Sequence, residues 1–81
     1  MKVTNYFKHV RNRYDRKQIR DEWIEETIRE PEAKQIQSDG RIRLWKRIQS
    51  ADGKWLRIVL LEDGETIHNA FFDRRFKGEA K

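Results

Sequence analysis

The sequence has no cysteine, one proline, four glycines and two histidines among its 81 residues. Without cysteine no disulfide can form, and no Cys/His cluster is present that would hold a structural metal. We therefore expect no metal site and no cofactor. A chain of this length buries only about 60–65% of the surface that it exposes when unfolded, so its stability depends on one small core, good local structure or a partner.

Long apolar runs are also missing. The longest strongly apolar stretch is residues 58–61 (IVLL), whereas a membrane-spanning helix needs about 20 such residues. The first ten residues, MKVTNYFKHV, lack the apolar segment of a secretory signal. Together with the absence of cysteine, these features favour a cytoplasmic protein without a membrane partner.

Charge, in contrast, is abundant and unevenly placed. Charged residues make up 41% of the chain, and the net charge is +5. Residues 1–20 carry seven Lys or Arg and one acid, residues 21–32 carry six acids and one Arg, and residues 33–60 carry seven Lys or Arg and two acids. A basic domain of this kind is typical of partners such as nucleic acid, an acidic protein or an anionic surface. The acidic stretch is either a solvated helix face or one side of a polarised surface whose basic side takes an anionic ligand.

Apolar spacing predicts two helices followed by an antiparallel sheet, an α+β fold in which the helices cover one sheet face. The whole chain, residues 1–81, is expected to form a single domain. The helices are placed within about residues 8–30, with a break near Gln18 and a stop at Pro31. The predicted segments are 8–17 and 20–30 for the helices, and 33–37, 41–49, 54–62 and 65–73 for the strands of a sheet spanning about 33–73.

Side-chain spacing also predicts the faces of the first helix. Val10 and Tyr14 are four residues apart and are expected to share its inner face. His9 and Arg13 have the same spacing and are expected to lie side by side on a neighbouring face.

Turn residues predict the register of the first long hairpin. Residues 51–53 (Ala-Asp-Gly) suit a three-residue loop that places Ser50 opposite Lys54 and Arg47 opposite Arg57. Like charges directly across two strands destabilise a sheet, so the arginine pair would need an anion, an acidic neighbour or an outward splay.

The second hairpin is predicted from residues 63–64 (Asp-Gly), which suit a two-residue turn. This register has one conflict, because it places Asn69 on the apolar face of the sheet. The expected pairs are Leu60 with Ile67, Leu56 with Phe71 and Val59 with His68; in the first hairpin, Trp45 is expected opposite Val59.

Several short motifs carry a family resemblance. Residues 9–19 (HVRNRYDRKQI) resemble the H-A-x-x-R-M-x-x-R-G-I opening of a small bacterial domain family, which is itself similar to the RelE/ParE superfamily of toxins from toxin–antitoxin pairs. Residues 39–41 and 56–59 resemble the D-G-R and L-R-V-V segments of that family. The chain departs from the pattern at four positions: Val10 stands for Ala, Tyr14 for Met, Lys17 for Arg and Gln18 for Gly.

The resemblance implies a fold, a substrate and a partner. Members of the superfamily pack two helices on an antiparallel sheet of three or four strands. Many are mRNA endonucleases, ribosome-dependent or free, whereas others poison gyrase and some have no demonstrated activity. The resemblance therefore implies RNA, in some cases on the ribosome, as the substrate, and a cognate antitoxin that would mask the basic face.

The main candidate site is one sheet face that is expected to gather Arg43, Trp45, Arg47, Arg57 and His68. Two further groups are expected elsewhere: His9 with Arg13 on the first helix, and Arg74 with Arg75 after the last strand. Arginine pairs with phosphate in a bidentate manner, and tryptophan offers a stacking surface for a base. The catalytic candidates are His68, Arg57 and His9, with Arg13 as the cationic partner of His9. The alternative is that these residues are solvated or structural. The candidates for nucleic-acid binding are Arg13, Arg43, Trp45, Arg47, Arg74 and Arg75.

Two functions remain open at this stage. The first is a toxin-type RNA-binding protein or a metal-independent ribonuclease. The second is a non-catalytic protein-interaction domain of the same fold that forms a homodimer or a hetero-complex. Steep salt dependence of RNA binding would favour the first, and a salt-insensitive dimer the second. The chain end, residues 77–81, is expected to fray. The expected centre of a protein interface is Trp45, Trp55 or Phe72.

Overall fold

Two helices and a four-stranded antiparallel sheet make up the chain, as a computed structural model describes it for residues 1–78. The expected α+β class is confirmed. Residues 79–81, part of the segment predicted to fray, lie outside the described residues. The strand order in the sheet is sequential. In chain order the elements are α1 (Asn5–Val10), α2 (Asp21–Arg29), β1 (Ala33–Ile36), β2 (Ile42–Ile48), a 3-10 turn (Gln49–Ala51), β3 (Lys54–Leu60) and β4 (Ile67–Phe72).

The first helix starts at a threonine cap that lies ahead of the predicted helix start. The Thr4 hydroxyl accepts a hydrogen bond from the Phe7 N–H at 3.1 Å, which satisfies one of the free donors at a helix N-terminus. Phe7 and Val10 are the buried residues of this helix. The helix therefore covers residues 5–10, and the predicted span of 8–17 is wrong.

Residues 11–18 form turns instead of continuing the helix. Tyr14 is the only apolar side chain in this stretch and is 81% exposed, so a longer helix would bury no further apolar surface. The turns lead the chain to Ile19, which joins the core. The prediction of an inner helix face containing Tyr14 is wrong, as is the placement of His9 and Arg13 on one helix.

The second helix lies where the sequence predicts it, between the break near Gln18 and Pro31. Asp21 and Glu22 occupy its first turn, where their charges interact favourably with the helix dipole. Ile24 is buried on its inner side. The helix thus presents an apolar stripe to the sheet and an acidic side to solvent.

Both helices cover the same face of the sheet. α1 packs against β4, and α2 packs against β2 and β3. None of the helices within residues 1–78 is long and apolar enough to cross a membrane. The buried apolar core between the two layers consists of Phe7, Val10, Ile19, Ile24, Leu44, Ile48, Leu56, Ile58, Leu60, Ile67 and Ala70.

The loop between β2 and β3 holds five residues rather than the predicted three. Lys54 pairs with Ile48 and not with Ser50. Asp52 and Gly53 both adopt left-handed backbone conformations, with φ of 58° and 71°; glycine does so freely, and aspartate is one of the residues that tolerate it. The longer loop ends β2 at Ile48, whereas β3 begins at Lys54 as predicted.

The longer loop changes the register of β2 and β3 by two residues, but each side chain stays on the predicted face of the sheet. Trp45 lies opposite Arg57, and Arg47 lies opposite Trp55. The predicted pairs Arg47–Arg57 and Trp45–Val59 are therefore wrong. A shift by an even number of residues leaves every side chain on the face that alternation assigns, and this register avoids direct opposition of two arginines.

A bulge between β3 and β4 removes the conflict at Asn69. Leu60 pairs with Ile67 as predicted, but Val59 pairs with Asn69 rather than with His68. His68 is the extra residue of the bulge, so Asn69 turns away from the apolar face. The pairs beyond the bulge are Leu56 with Phe72, in place of the predicted Leu56–Phe71, Arg57 with Phe71, and Ile58 with Ala70.

The first residues of the chain add to the outer edge of β4. The Ile67 N–H donates to the Lys2 carbonyl at 2.8 Å, and the Thr4 N–H donates to the Ile67 carbonyl at 3.0 Å. These bonds form a parallel bridge between Val3 and Ile67. The bridge covers part of an edge that would otherwise be open to pairing with another strand.

Candidate functional site

The sheet face turned away from the helices carries several of the residues predicted to bind RNA. We call it the open face, formed by Ala33, Gln35, Arg43, Trp45, Arg47, Trp55, Arg57, Val59, Asn69 and Phe71. Cross-strand pairing places Trp45 beside Arg57, and Arg57 beside Phe71. Because side chains alternate along a strand, Arg43 and Trp45 on β2 reach the same surface as Arg57 on β3.

Asp73, just past the end of β4, is the acceptor at the centre of this surface. Its Oδ2 accepts from Trp45 Nε1 at 3.0 Å and from Arg57 Nη1 at 3.5 Å. Its Oδ1 accepts from the Arg75 N–H at 3.1 Å, and its own N–H donates to the Trp55 carbonyl at 2.8 Å. Burial raises the pKa of this carboxyl, but the hydrogen bonds and the Arg57 charge outweigh it and hold the pKa below its ordinary value.

The Arg57 guanidinium lies beside two aromatic rings. Its Cζ is 5.6 Å from the centroid of Trp45 and 5.1 Å from that of Phe71. Burial and, secondly, the charge of Arg43 lower the pKa of Arg57, and Asp73 only partly offsets them. Within residues 1–78, its buried Nε has no hydrogen-bond partner. Arg57 is therefore a cation whose charge is incompletely compensated, and an anion nearby would stabilise it.

Guanidinium groups and aromatic rings alternate across the open face. Arg16 reaches over the edge of β4, where its Cζ lies 5.2 Å from the centroid of Phe71. Arg57 contacts the same ring and also Trp45. Phe76 stacks on Trp45 at the far end, with centroids 4.6 Å apart and an interplanar angle of 12°. Each such contact contributes about 0.5–2 kcal/mol, so this row helps to hold the three strands together.

The segment that follows β4 folds back over the open face. Phe76 lies flat on Trp45 and meets Trp55 edge-on, with centroids 4.9 Å apart. As a result Trp45 is only 4% exposed. The Trp45 ring is therefore not free to stack on a ligand in this arrangement, because strand alternation assigns a face but does not reveal what covers it. Its predicted roles in RNA binding and at a protein interface stay predictions.

A shallow hollow of about 430 Å³ opens beside the Trp45–Phe76 stack. Arg43 is oriented there by two neutral amides. Its Nη1 donates to Gln35 Oε1 at 3.2 Å. Its Nη2 donates to the Gln37 side-chain oxygen at 2.6 Å in the amide orientation that turns this oxygen toward Arg43. The hollow thus combines four cations with one carboxylate. Besides the two stacked rings, it is lined by Arg43, Arg57, Asp73, Arg75 and Lys77.

Three of the predicted binding residues lie away from this hollow. Arg47 donates from its Nε to the Gly53 carbonyl at 3.0 Å and so closes its own hairpin loop. Arg13 is exposed in the turns between the helices. Arg74 is exposed and lines a different hollow, together with Arg16. The predicted residues that the structure brings together at the hollow are Arg43, Trp45, Arg57 and Arg75.

Neither histidine lies in the lining of the hollow. His68 Nδ1 is 3.2 Å from Thr4 Oγ1, and its ring stacks on Tyr6 with centroids 4.9 Å apart. His9 is exposed on α1. A general acid or base must come within hydrogen-bond distance of the group it serves, so the predicted convergence of His68 with Arg57 at one site is not formed.

The position of His68 makes the stability of the fold depend on pH. Burial and, to a lesser degree, the charge of Arg41 lower the pKa of His68 below 6.5. Thr4 Oγ1 already accepts from the Phe7 N–H, so its own proton is available for His68 Nδ1. At low pH the unfolded chain therefore binds a proton at His68 more readily than the folded chain does. Neutral His68 contributes to the stability of the fold; this contribution is complete above pH 6.5 and is lost as the pH falls through the pKa of the folded chain.

We expect the thermal unfolding midpoint to fall as the pH is lowered from about 7 to about 5. The variant His68→Asn, which keeps an acceptor near Thr4, should flatten that part of the profile. His9→Asn is the matched control, since it removes the other, exposed histidine. A profile flattened by the control and not by His68→Asn would contradict the assignment to His68.

The role of Asp73 as an acceptor for Trp45 could not be predicted from the sequence pattern. The two residues are 28 positions apart, and they meet only because β4 lies beside β3 and the chain then bends back. The amide partners of Arg43 were not predicted either. They could have been, because a hairpin with its turn at Gly40 places Gln35 opposite Arg43. Residues 1–78 contain no group of three or more His, Asp or Glu side chains placed to hold a metal ion.

Comparison with known proteins gives no assignment. No protein-family model, curated protein or solved structure matches this chain. The function is therefore argued from the chemistry of the open face.

Proposed function

We propose that the chain is a small RNA-binding domain of the RelE/ParE-like type, and that the hollow on the open face binds the backbone of single-stranded RNA. The observation that carries the proposal is the charge of the hollow, where four cations surround one carboxylate. Guanidinium groups form bidentate hydrogen bonds with phosphate oxygens. A basic groove with aromatic rings beside it suits single strands, because the cations follow the backbone and the rings accept bases.

Two arginines are best placed to hold phosphate. Arg57 lines the hollow, and burial together with the charge of Arg43 lowers its pKa, so a second anion beside Asp73 would stabilise its charge. Arg43 is bonded to neutral amides, which orient its guanidinium and leave its charge uncompensated. The resemblance of residues 9–19 to a family similar to RelE/ParE supports RNA over other anions.

The arrangement favours binding over cleavage. Metal-free cleavage of RNA needs a base for the 2′-hydroxyl and an acid for the leaving oxygen. The one carboxylate of the hollow, Asp73, is engaged by Trp45 and Arg57, and His68 is engaged with Thr4. A toxin effect of such a domain would then come from occupying RNA, free or on the ribosome, and an antitoxin would act by covering the hollow.

Replacing two arginines of the hollow should weaken RNA binding at least about tenfold. The variant is Arg43→Gln with Arg75→Gln, and the measurement is fluorescence anisotropy with a labelled single-stranded RNA of about a dozen nucleotides. The slope of log K against log salt should also become shallower by about 1.4, because two phosphate contacts are lost at about 0.7 each for a single strand.

The matched control is Arg20→Gln with Arg29→Gln, which removes the same charge from exposed arginines outside the hollow. Affinity and salt slope should stay near those of the wild type. If both double variants lose affinity equally, binding is a property of net charge and the assignment of the hollow is incorrect. If the wild type shows no salt-dependent binding at all, the proposed function itself fails.

A protein-interaction domain is the second candidate, and one observation favours it. Ile36 is 65% exposed on β1, the free edge strand of the sheet. An edge strand offers unpaired N–H and C=O groups to a strand from a second copy or another chain. Salt-insensitive dimerisation in the same solutions, seen by light scattering, would favour this candidate over RNA binding.

A further inference from the structure

We infer that the ring of Phe76 occupies the stacking position that a nucleobase of bound RNA would take on Trp45, so that residues 74–78 and the RNA compete for the Trp45 ring. The inference rests on the proposed function and deepens it. It assigns to the open face a second element of recognition, a base stacked on Trp45, in addition to the phosphate contacts of the cations.

The stacking geometry is the first support. The rings of Phe76 and Trp45 are nearly parallel, at 12°, with centroids 4.6 Å apart. This is the flat arrangement by which a planar base lies on an aromatic side chain. The contact of Phe76 with Trp55, at 68°, is tilted instead. Phe76 therefore stacks face to face on Trp45, as a nucleobase would.

The platform is built independently of Phe76. Trp45 lies within β2, between β1 and β3, and its Nε1 donates to Asp73 at 3.0 Å. The Arg57 guanidinium lies 5.6 Å from the ring. These contacts fix the plane of the indole from the sheet side, so the ring keeps its orientation when its cover is removed.

The cover, in contrast, is lightly held. Residues 73–78 belong to no helix or strand, and Lys77 and Gly78 are exposed. The Arg75 N–H bonds to the Asp73 side chain ahead of Phe76. Displacing Phe76 would break its two aromatic contacts and would leave the hydrogen-bonded strands intact.

The surrounding charges fit a nucleotide rather than a plain apolar ligand. Arg43 and Arg57 belong to the sheet and remain beside Trp45 when the cover moves. A base on Trp45 would therefore have guanidinium groups within reach of its own phosphate. An apolar ligand would gain the stack but would leave this positive charge without an anion.

The decisive comparison uses two probes of equal length and charge. One is an oligoadenylate RNA, and the other is an abasic ribose-phosphate oligomer that carries no bases. The variant Phe76→Ala should bind the oligoadenylate about three- to tenfold more tightly than the wild type does, since the competing ring is gone. It should bind the abasic oligomer as the wild type does. Tyr14→Ala, which removes an exposed ring outside the hollow, is the control and should change neither affinity.

The outcomes separate the inference from the proposed function. If Phe76→Ala binds the oligoadenylate no more tightly than the wild type, while both still bind the abasic oligomer in a salt-dependent way, a base does not stack on Trp45. Phosphate binding at the hollow is then still supported. Failure of both probes to bind either protein overturns both. Binding of oligoadenylate by the variant alone supports the inference, since it means that the cover closes the site fully.

A measurement on the wild-type chain guards against a variant that fails to fold. In NMR titration with the oligoadenylate, the Phe76 ring resonances should move toward unstructured values. The Trp45 indole N–H should keep the shift of a hydrogen-bonded group, because Asp73 still holds it. Phe76 resonances that stay unchanged at saturation would refute the inference.

Discussion

Replacing Ile58 with alanine is expected to lower the free energy of unfolding by about 2–5 kcal/mol. Ile58 is completely buried in β3, with Leu44 beside it on β2 and Ala70 on β4. The substitution loses the transfer energy of the removed groups and leaves a cavity in the core between the helices and the sheet. A domain of this size has only about 4–12 kcal/mol of stability in total, so the variant should be close to unfolding.

Thermal or urea unfolding measures this effect directly. For a domain of this length, the midpoint should fall by about 4–8 °C for each kcal/mol lost. Ile36→Ala makes the same chemical change at a site that is 65% exposed, and it should alter stability by less than about 0.5 kcal/mol. Equal losses in the two variants would mean that the core does not lie between the helices and the sheet.

Removing the Asp73 carboxylate is expected to cost about 2–3 kcal/mol and to loosen the open face. The Asp73 and Arg57 side chains are only 14% and 21% exposed, so the loss leaves a poorly solvated cation and an indole N–H of Trp45 without its acceptor. The figure stays below that of a fully buried pair, because some water reaches both groups. Asp73→Ala should also lower the protection of the Trp45 indole N–H from hydrogen exchange.

A double-mutant cycle tests this explanation. Arg57→Met keeps an apolar stem beside Trp45 and Phe71 and removes the cation. The double variant Asp73→Ala/Arg57→Met should be at least about 1 kcal/mol more stable than the sum of the two single effects predicts. Asp73→Asn keeps an acceptor for the indole and should be destabilised less than Asp73→Ala. Additive effects in the cycle would show that the two side chains do not stabilise each other.

Alternation along the strands was enough to predict the membership of much of the open face. Arg43, Trp45 and Arg57 were expected on one surface, and the structure places them there. The prediction succeeds because the side-chain period of a strand is two whatever the exact register. The second helix was equally predictable, since Pro31 bounds its end and acidic residues mark its first turn.

The register of the first hairpin could not be read in the same way. A shift by two residues leaves the apolar and polar faces unchanged, so hydrophobic patterning cannot separate the two alternatives. The observed pairing brings Lys46 within reach of α2, where its Nζ donates to the Glu30 carbonyl at 3.0 Å and lies 3.9 Å from a Glu26 oxygen. Such a contact between layers is invisible in a local pattern. For the second hairpin, the misplaced Asn69 was a usable warning of a bulge.

The cover over Trp45 lay beyond prediction for a different reason. Phe76 was recognisable as an apolar residue near the chain end, but its contact with Trp45 depends on how the chain turns at Asp73. That turn is stabilised by bonds to β2 and β3, and no spacing rule connects these distant segments. The expected convergence of His68 with Arg57 is not formed, because the bulge leaves His68 beside Thr4.

The bridge joins Val3 to Ile67, so it can form only after the last strand has been synthesised. α2 and the β2–β3 hairpin are built from nearby residues and close quickly, whereas contacts across a large sequence separation form slowly. α1 packs on β4, so the first helix lacks its packing surface until the last strand has been synthesised. A nascent chain that stops before residue 67 would therefore present part of the apolar side of its sheet to chaperones, and capture of the first residues by the last strand would be the step that closes the domain.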